Sequence, residues 1–327
     1  MLMPNFAYVR PKTLQEAIRY LSSSDCRVHA GGTDLLGCLR DEIFGAQKIV
    51  SISHFKDLRG IKTTAQGGLR IGALTTLTEV ASDKTIQERY PALSKGASEA
   101  ASPQLRNQGT IGGNICQKPR CWYYRGEFHC LRKGGDKCYA YGGQNHFHCI
   151  FGSGGICYIV HPSDTAPSLV AYEATVKVVG PKGTRRIPLA KFYVLPSEDV
   201  RKETVLKPDE IVTELLLPPP VQGLRGSYRK VRARRSWDFA LAGMALVVKF
   251  QGDKIKKAHA VLSGAAPIPW RSREIEEAIT GKRLDADAVS RAAEAAVKNA
   301  EPLKHNAYKI PLFRGMIEEE LSAIAKI

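Results

Sequence analysis

Six of the chain's eight cysteines fall between residues 116 and 157: Cys116, Cys121, Cys130, Cys138, Cys149 and Cys157. His129, His146 and His148 share that stretch. Thiolates bind soft metal centres, and four of them around one iron–sulfur cluster is a common arrangement. The run sits directly after a glycine-rich phrase, Gly109-Thr110-Ile111-Gly112-Gly113-Asn114. A glycine-rich turn lets backbone approach a phosphate closely. Cluster chemistry beside a nucleotide site points to electron transfer.

The cysteine spacing narrows this only partly. Cys121-x8-Cys130-x7-Cys138 is followed after a gap by Cys157. No C-x2-C pair exists, which argues against a zinc ribbon or finger. The short spacing of bacterial ferredoxins is missing too, although cubane clusters tolerate irregular spacing. On spacing alone an iron–sulfur cluster, a zinc ion and unmetallated thiols all stay open.

A second glycine phrase, Ala30-Gly31-Gly32-Thr33-Asp34, lies near the start of the chain. Each phrase alone reads equally as a tight turn. Together they suit a dinucleotide, whose pyrophosphate needs donors from two sides. Neither matches G-x-G-x-x-G or a P-loop, so ordinary Rossmann and kinase readings lack support. No Ser-His-Asp arrangement is evident, and His161 and His305 are isolated. Substrate chemistry is therefore expected on another chain.

These residues must be positioned by a protein of 327 residues, room for two domains. Hydrophobic content of 43% and charged content of 24% are ordinary for a globular chain. The longest apolar run, Phe239 to Val248, is interrupted by Gly243 and too short to span a bilayer. The first ten residues lack the apolar core of a secretory signal. A reducing, cytoplasmic location is expected, where clustered cysteines serve as ligands rather than disulfides; export with a signal-bearing partner stays open. Net charge is +16, yet no nucleic-acid motif appears and basic residues are spread along the chain. Neither a nucleic-acid nor a membrane partner is expected.

Thr13-Leu14-Gln15-Glu16 has the form of a capping box before a helix at 14–22. A strand at 27–30 leads into the first glycine phrase, and a helix at 35–42 follows it. Strands are expected at 49–52 and 69–73, helices at 76–82 and 92–100. Residues 118–157 lack any apolar period, and a metal centre would supply the folding energy that no core provides there. Beyond it come a helix at 165–171 and a strand at 174–179. After Pro218-Pro219-Pro220, the best linker, strands at 226–232, 242–250 and 256–262 precede helices at 272–279, 287–298 and 315–325. This is an α+β pattern, not a regular βαβ alternation.

The phrases AGGTDLL, LRIGALTTL, QLRNQGTIGGNICQ, CYIVHPSDTAPSL and YRKVRARRSWDFALAG resemble the FAD-binding subunit of molybdenum hydroxylases of the xanthine oxidase family, in order along nearly the whole chain. RCWYY, HCLRKGGDKC and CYIVHPSD resemble the subset carrying an extra 4Fe–4S cluster. The 4-hydroxybenzoyl-CoA reductase β subunit and some bacterial aldehyde oxidoreductase flavin subunits belong to it. The resemblance implies a two-part FAD-binding domain of the vanillyl-alcohol-oxidase type over residues 1–217, with the insert at about 118–157, and a smaller α+β domain over 221–327. It implies Cys121, Cys130, Cys138 and Cys157 as cluster ligands, with Cys116 and Cys149 spare. Cys26 and Cys38 read as small buried residues.

For the flavin, the resemblance implies Ala30, Gly31, Gly32, Thr33, Asp34 and Leu35, with Thr110, Gly112, Gly113 and Asn114, at the pyrophosphate and ribose. Ser163 and Asp164 would contact the adenosine half, and Lys230 would lie near the isoalloxazine. Plainer readings are that Asp164 caps the helix at Thr165 and that Lys230 is a solvated strand lysine. Implied partners are a molybdenum-cofactor large subunit, a 2Fe–2S small subunit and an external carrier such as ferredoxin or NAD. Arg120, Arg125, Arg132 and Lys133, around the proposed ligands, are expected either to dock an acidic carrier or to neutralise the cluster. Rival functions are a self-contained FAD-dependent oxidoreductase and a zinc-stabilised binding protein.

Overall fold

The computed structural model describes residues 3–23 and 25–326; Met1, Leu2, Ser24 and Ile327 lie outside the described residues. Three sheets carry the chain. Ala7–Val9, Lys48–Ser51 and Cys26–His29 form a small parallel sheet with Lys48–Ser51 in the centre. The helix Leu14–Leu21 covers it, burying Ala17, Ile18 and Leu21. Its cap differs slightly from the expected box. Thr13 Oγ1 accepts from Glu16 N–H, but Glu16 Oε2 reaches past Thr13 to the N–H of Lys12 at 2.6 Å.

The second sheet is antiparallel, in the order Ile61–Thr63, Leu69–Gly72, Ile211–Leu217, Thr175–Gly180, Gly183–Pro188. Short helices pack on it, among them Leu77–Ser82, whose Thr76 and Glu79 do form a reciprocal capping box. The third sheet runs Trp270–Arg271, Lys254–Ser263, Ala242–Gln251, Leu224–Val231, all antiparallel. Three helices back it: Arg273–Ile279, Ala286–Val297 and Lys309–Ala325. The last begins six residues before the expected 315. Pro311 had masked that start, but it lies in the first turn, where its missing N–H has no intrahelical partner to lose.

The helix Thr165–Ala171 joins the two larger sheets. All seven of its residues are buried. It shares one apolar cluster with Leu215 and Val176 of the second sheet and Tyr228, Ala245 and Val261 of the third. The insert is not wholly irregular. It holds the short helices Trp122–Arg125 and Tyr139–Gly142 and a 3-10 turn at Leu131–Lys133.

The end of the insert is clamped by the C-terminal region. Asn306 Nδ2 donates to the carbonyls of His148 and Cys149, each at 3.1 Å, and Asn145 Oδ1 accepts from His305 N–H at 2.9 Å. Lys309, fully buried, donates from Nζ to Gly264 O at 2.7 Å and Phe147 O at 3.4 Å. Burial lowers its pKa to about 8, below the usual lysine value. The cost of burying the ammonium is thus fully present below that pH and relieved as pH rises toward the unfolded-state value of about 10.5. Against Lys309→Met, wild type should gain roughly 2–3 kcal/mol in denaturant unfolding between pH 8 and pH 10. Parallel stability curves for the two proteins would refute this.

Candidate functional site

Both glycine phrases face one cavity. Ala30, Gly31, Gly32, Thr33, Asp34 and Leu35 line it from one side, Thr110, Gly112 and Gly113 from the other. The two approach so closely that a Cβ on Gly31 would stand 2.0 Å from the carbonyl oxygen of Gln108. A Cβ on Gly112 would meet Ala73 at 2.8 Å. Gly32 holds a positive φ of 74°. The N–H groups of Gly31, Gly32, Thr33 and Asp34 find no acceptor among the described residues. Four successive unpaired donors beside a cavity suit an anion such as a pyrophosphate.

The second phrase is built differently from a turn. It forms the short helix Ile111–Ile115, capped by Thr110. Its donors are spent at home: Ile111 N–H on Thr75 O, Gly112 N–H on Ala73 O, Gly113 N–H on Thr110 Oγ1 and Asn114 N–H on Thr110 O. Its glycines permit close packing rather than a second anion cradle. Asn114 turns away from this cavity, and its Oδ1 accepts from Ser163 Oγ at 2.5 Å and Thr165 Oγ1 at 2.7 Å.

Asp34 ties the first phrase to the insert. Its Oδ1 pairs with Arg120 at 2.9 Å and Arg125 at 2.8 Å, and its Oδ2 accepts from Lys118 N–H at 2.7 Å. Arg132 is buried against Glu203 and the Val200 carbonyl. Lys133 Nζ donates to Gly126 O at 2.5 Å. These four cations, expected either to dock an acidic carrier or to neutralise a cluster, each have a partner within the chain. Three are committed to internal carboxylates and the fourth to a backbone carbonyl.

A second cavity opens where the insert, residues 160–164 and the third sheet meet. Trp122, Phe147, Val160, Phe239 and Leu241 give it apolar walls. Ser163 and Asp164 line it as well, rather than the first cavity. Asp164 occupies the N-cap position of the Thr165 helix, but its side chain makes no cap bond. Instead its carboxylate accepts from Tyr228 Oη and Lys230 Nζ, each at 2.8 Å. The Lys230 side chain is 0% exposed, so it is not a solvated lysine. Burial raises the Asp164 pKa and the Lys230 charge opposes that rise. Lys230 lines neither of these cavities; it borders an open basic groove on the far side of the pair. His161, on the cavity wall, has its pKa lowered to about 3 by burial. Its Nε2 has no partner among the described residues.

Cys121, Cys130, Cys138 and Cys157 converge on one small cavity with Tyr124, Tyr139, His148 and Tyr158. Three of the four stand immediately before a helical turn: Cys121 before Trp122–Arg125, Cys130 before Leu131–Lys133, Cys138 before Tyr139–Gly142. Burial pushes the Cys121 thiol up to about 11, against hydrogen bonds from the N–H groups of Tyr124 and Tyr123. A bond from Cys157 pulls Cys138 down to about 6 and pushes Cys157 up; the Ala140 and Tyr141 amides also favour the Cys138 thiolate. Cys149 is fully buried, packs with Ala140 and Tyr158, and stands outside this cavity. Cys116 lines the first cavity. Cys38 lines the first cavity too and is buried, as is Cys26. Among the described residues, no three His, Cys, Asp or Glu side chains are close enough to hold a single metal ion.

Several contributors had no local sequence signal. Glu203 meets Lys118 and Arg132 from far along the chain. Phe239 and Leu241 read only as part of an apolar run, yet they wall the second cavity. His148 lines both the second and the cysteine cavities, and nothing in its spacing separated it from the other histidines.

Residues 4–220 match the family described as the FAD binding domain in molybdopterin dehydrogenase. Residues 227–322 match the CO dehydrogenase flavoprotein C-terminal domain. The chain is 34% identical over 326 residues to the aldehyde oxidoreductase FAD-binding subunit PaoB of Escherichia coli (strain K12), covering 98% of each. It is 29% identical to the carbon monoxide dehydrogenase medium chain of Hydrogenophaga pseudoflava, covering 99% of this chain and 98% of that one. A solved carbon monoxide dehydrogenase from Hydrogenophaga pseudoflava superposes with a TM-score of 0.79 at 27% identity, over 99% of this chain and 98% of the other. With its glycine-lined cavity and both matched segments in order, the chain belongs to the FAD-binding medium subunits of the xanthine oxidase family of molybdenum hydroxylases.

Proposed function

We propose that this chain is an electron-relay subunit that holds FAD across the first two cavities and a 4Fe–4S cluster in the cysteine cavity. The observation that carries the reading is the shared wall. Cys121 and His148 are the two residues common to the cysteine cavity and the apolar second cavity. The unpaired amides of Gly31 to Asp34 suit the pyrophosphate. The flat apolar walls of Trp122, Phe147 and Phe239 suit a flavin ring. Asp164, on the wall of that cavity and paired from behind with Lys230, is well placed to fix its polarity.

Flavin supplies the conversion between electron pairs and single electrons. The chain's own residues orient it, exclude water with the aromatic walls, and hold a cluster ligand against it. Four cysteines line one cavity, the number of thiolates that a cubane cluster takes. The relatives' names, an aldehyde oxidoreductase FAD-binding subunit and a carbon monoxide dehydrogenase medium chain, support assembly with larger and smaller subunits. In this reading the partners are a molybdenum-cofactor large subunit, a 2Fe–2S small subunit and an external carrier such as ferredoxin or NAD. In this reading the FAD-binding domain spans residues 1–217 and the C-terminal domain residues 221–327.

Anaerobically purified protein should contain about four irons and one FAD per chain, with an EPR signal of the reduced cluster. Cys130→Ser should lose most of that iron and signal while keeping flavin. Flavin without iron in the wild type, or full iron in the variant, would refute the cluster. Gly31→Ala forces the two glycine phrases apart, because its Cβ would lie 2.0 Å from Gln108 O. Flavin content, read from visible absorbance, should fall about tenfold or more on that ~1.4 kcal/mol-per-decade scale. Undiminished flavin would show that the first cavity does not hold it.

A further inference from the structure

Among the side chains around the cysteine cavity, His148 alone places a ring nitrogen against a proposed ligand. Its Nε2 lies 3.2 Å from Cys121 Sγ. The residue is 5% exposed, and its Nδ1 has no partner among the described residues. A cysteine that ligates a metal has no S–H left to donate. The hydrogen of this contact must then come from the ring, at Nε2.

The His148 backbone is held from two directions. The His148 N–H donates to Asn145 O at 3.1 Å, and the His148 carbonyl accepts from Asn306 Nδ2 at 3.1 Å. Asn145 and Asn306 are each 0% exposed and fully engaged. The segment carrying His148 is thus pinned between the insert and the C-terminal helix region. Cys121, which also receives the Tyr123 and Tyr124 amides, is the proposed ligand that faces the second cavity, and His148 adds a side-chain contact to it there.

We propose that His148 is a positioning residue that donates from Nε2–H to the Cys121 sulfur and so raises the reduction potential of the cluster, an inference that rests on the cluster reading above. A hydrogen bond to a ligand sulfur withdraws negative charge and favours the reduced state. The same bond fixes the Cys121 side chain in the wall between the two cavities, where an electron passing from one to the other would cross.

The test uses the anaerobically isolated protein with its flavin and iron. His148→Phe removes the donor, whereas His148→Gln presents an amide N–H near the former Nε2. Redox titration by EPR should show the cluster potential shifted down in His148→Phe and largely restored in His148→Gln, at unchanged iron content. An unmoved potential in His148→Phe, or equal shifts in both variants, overturns the proposal. Should the variants lose iron, wild-type protein labelled with 15N-histidine gives an independent reading. Pulsed EPR of its reduced cluster should show a weak histidine nitrogen coupling, and its absence also overturns the proposal. Wild-type protein with flavin but no iron would overturn the cluster reading and this inference together. Iron present with neither the shift nor the coupling would overturn this inference alone.

Discussion

The carboxylate of Asp34 is the point on which the site depends. It follows the four unpaired amides of the first glycine phrase and receives Arg120, Arg125 and the Lys118 amide from the start of the insert. The Arg125 side chain is only 12% exposed, so its charge needs that partner. Removing one member of a largely buried ion pair strands the other, at a cost of about 3–5 kcal/mol. A long segment with little apolar core is thereby fixed to the loop suited to an anion. The first cavity and the cysteine cavity are also joined by an apolar cluster of Cys38, Ile43, Tyr124 and Cys130; that packing is non-directional, and the ion pairs add direction to it.

A second constraint closes the other side. The Asp164–Lys230 pair, with Tyr228, joins the end of the 160–164 segment to the third sheet. A buried pair of this kind is weak evidence for stability, because desolvation offsets most of the attraction. Its value here is positional. The buried helix Thr165–Ala171 glues the two larger sheets through apolar contact, and the ion pair sets the register of that contact. The second cavity lies beside this pair, walled by the insert, residues 160–164 and the third-sheet side.

Most elements were legible because their signals are local. The apolar face of Leu14–Leu21 and the apolar run continued by Ala242–Gln251 each lie within a few residues. What sequence could not supply was partnership across distance. Arg132 looks like a surface cation until Glu203 is found beside it, and Lys230 looks solvated until Asp164 is. The glycine phrase at 110–114 looks like a second anion cradle. Only the fold reveals that Thr75, Ala73 and Thr110 already take its donors. Cys149 and Cys157 are alike in sequence; packing directs one into an apolar cluster and the other into the shared cavity.

The cysteine spacing itself has a physical explanation. Where a C-x2-C pair delivers two thiols from one tight loop, this insert delivers single thiols from the first positions of successive helical turns. The start of a turn leaves N–H groups without intrahelical partners, and a thiolate is an acceptor for them. The Tyr123 and Tyr124 amides do this for Cys121, the Ala140 and Tyr141 amides for Cys138. Each turn needs several residues to form and several more to return to the centre, so intervals of seven or eight residues follow from the construction. The irregular spacing of Cys121, Cys130 and Cys138 follows from placing each before its own turn. The same construction leaves Cys121 at the edge of the cage, where it forms part of the second cavity's wall.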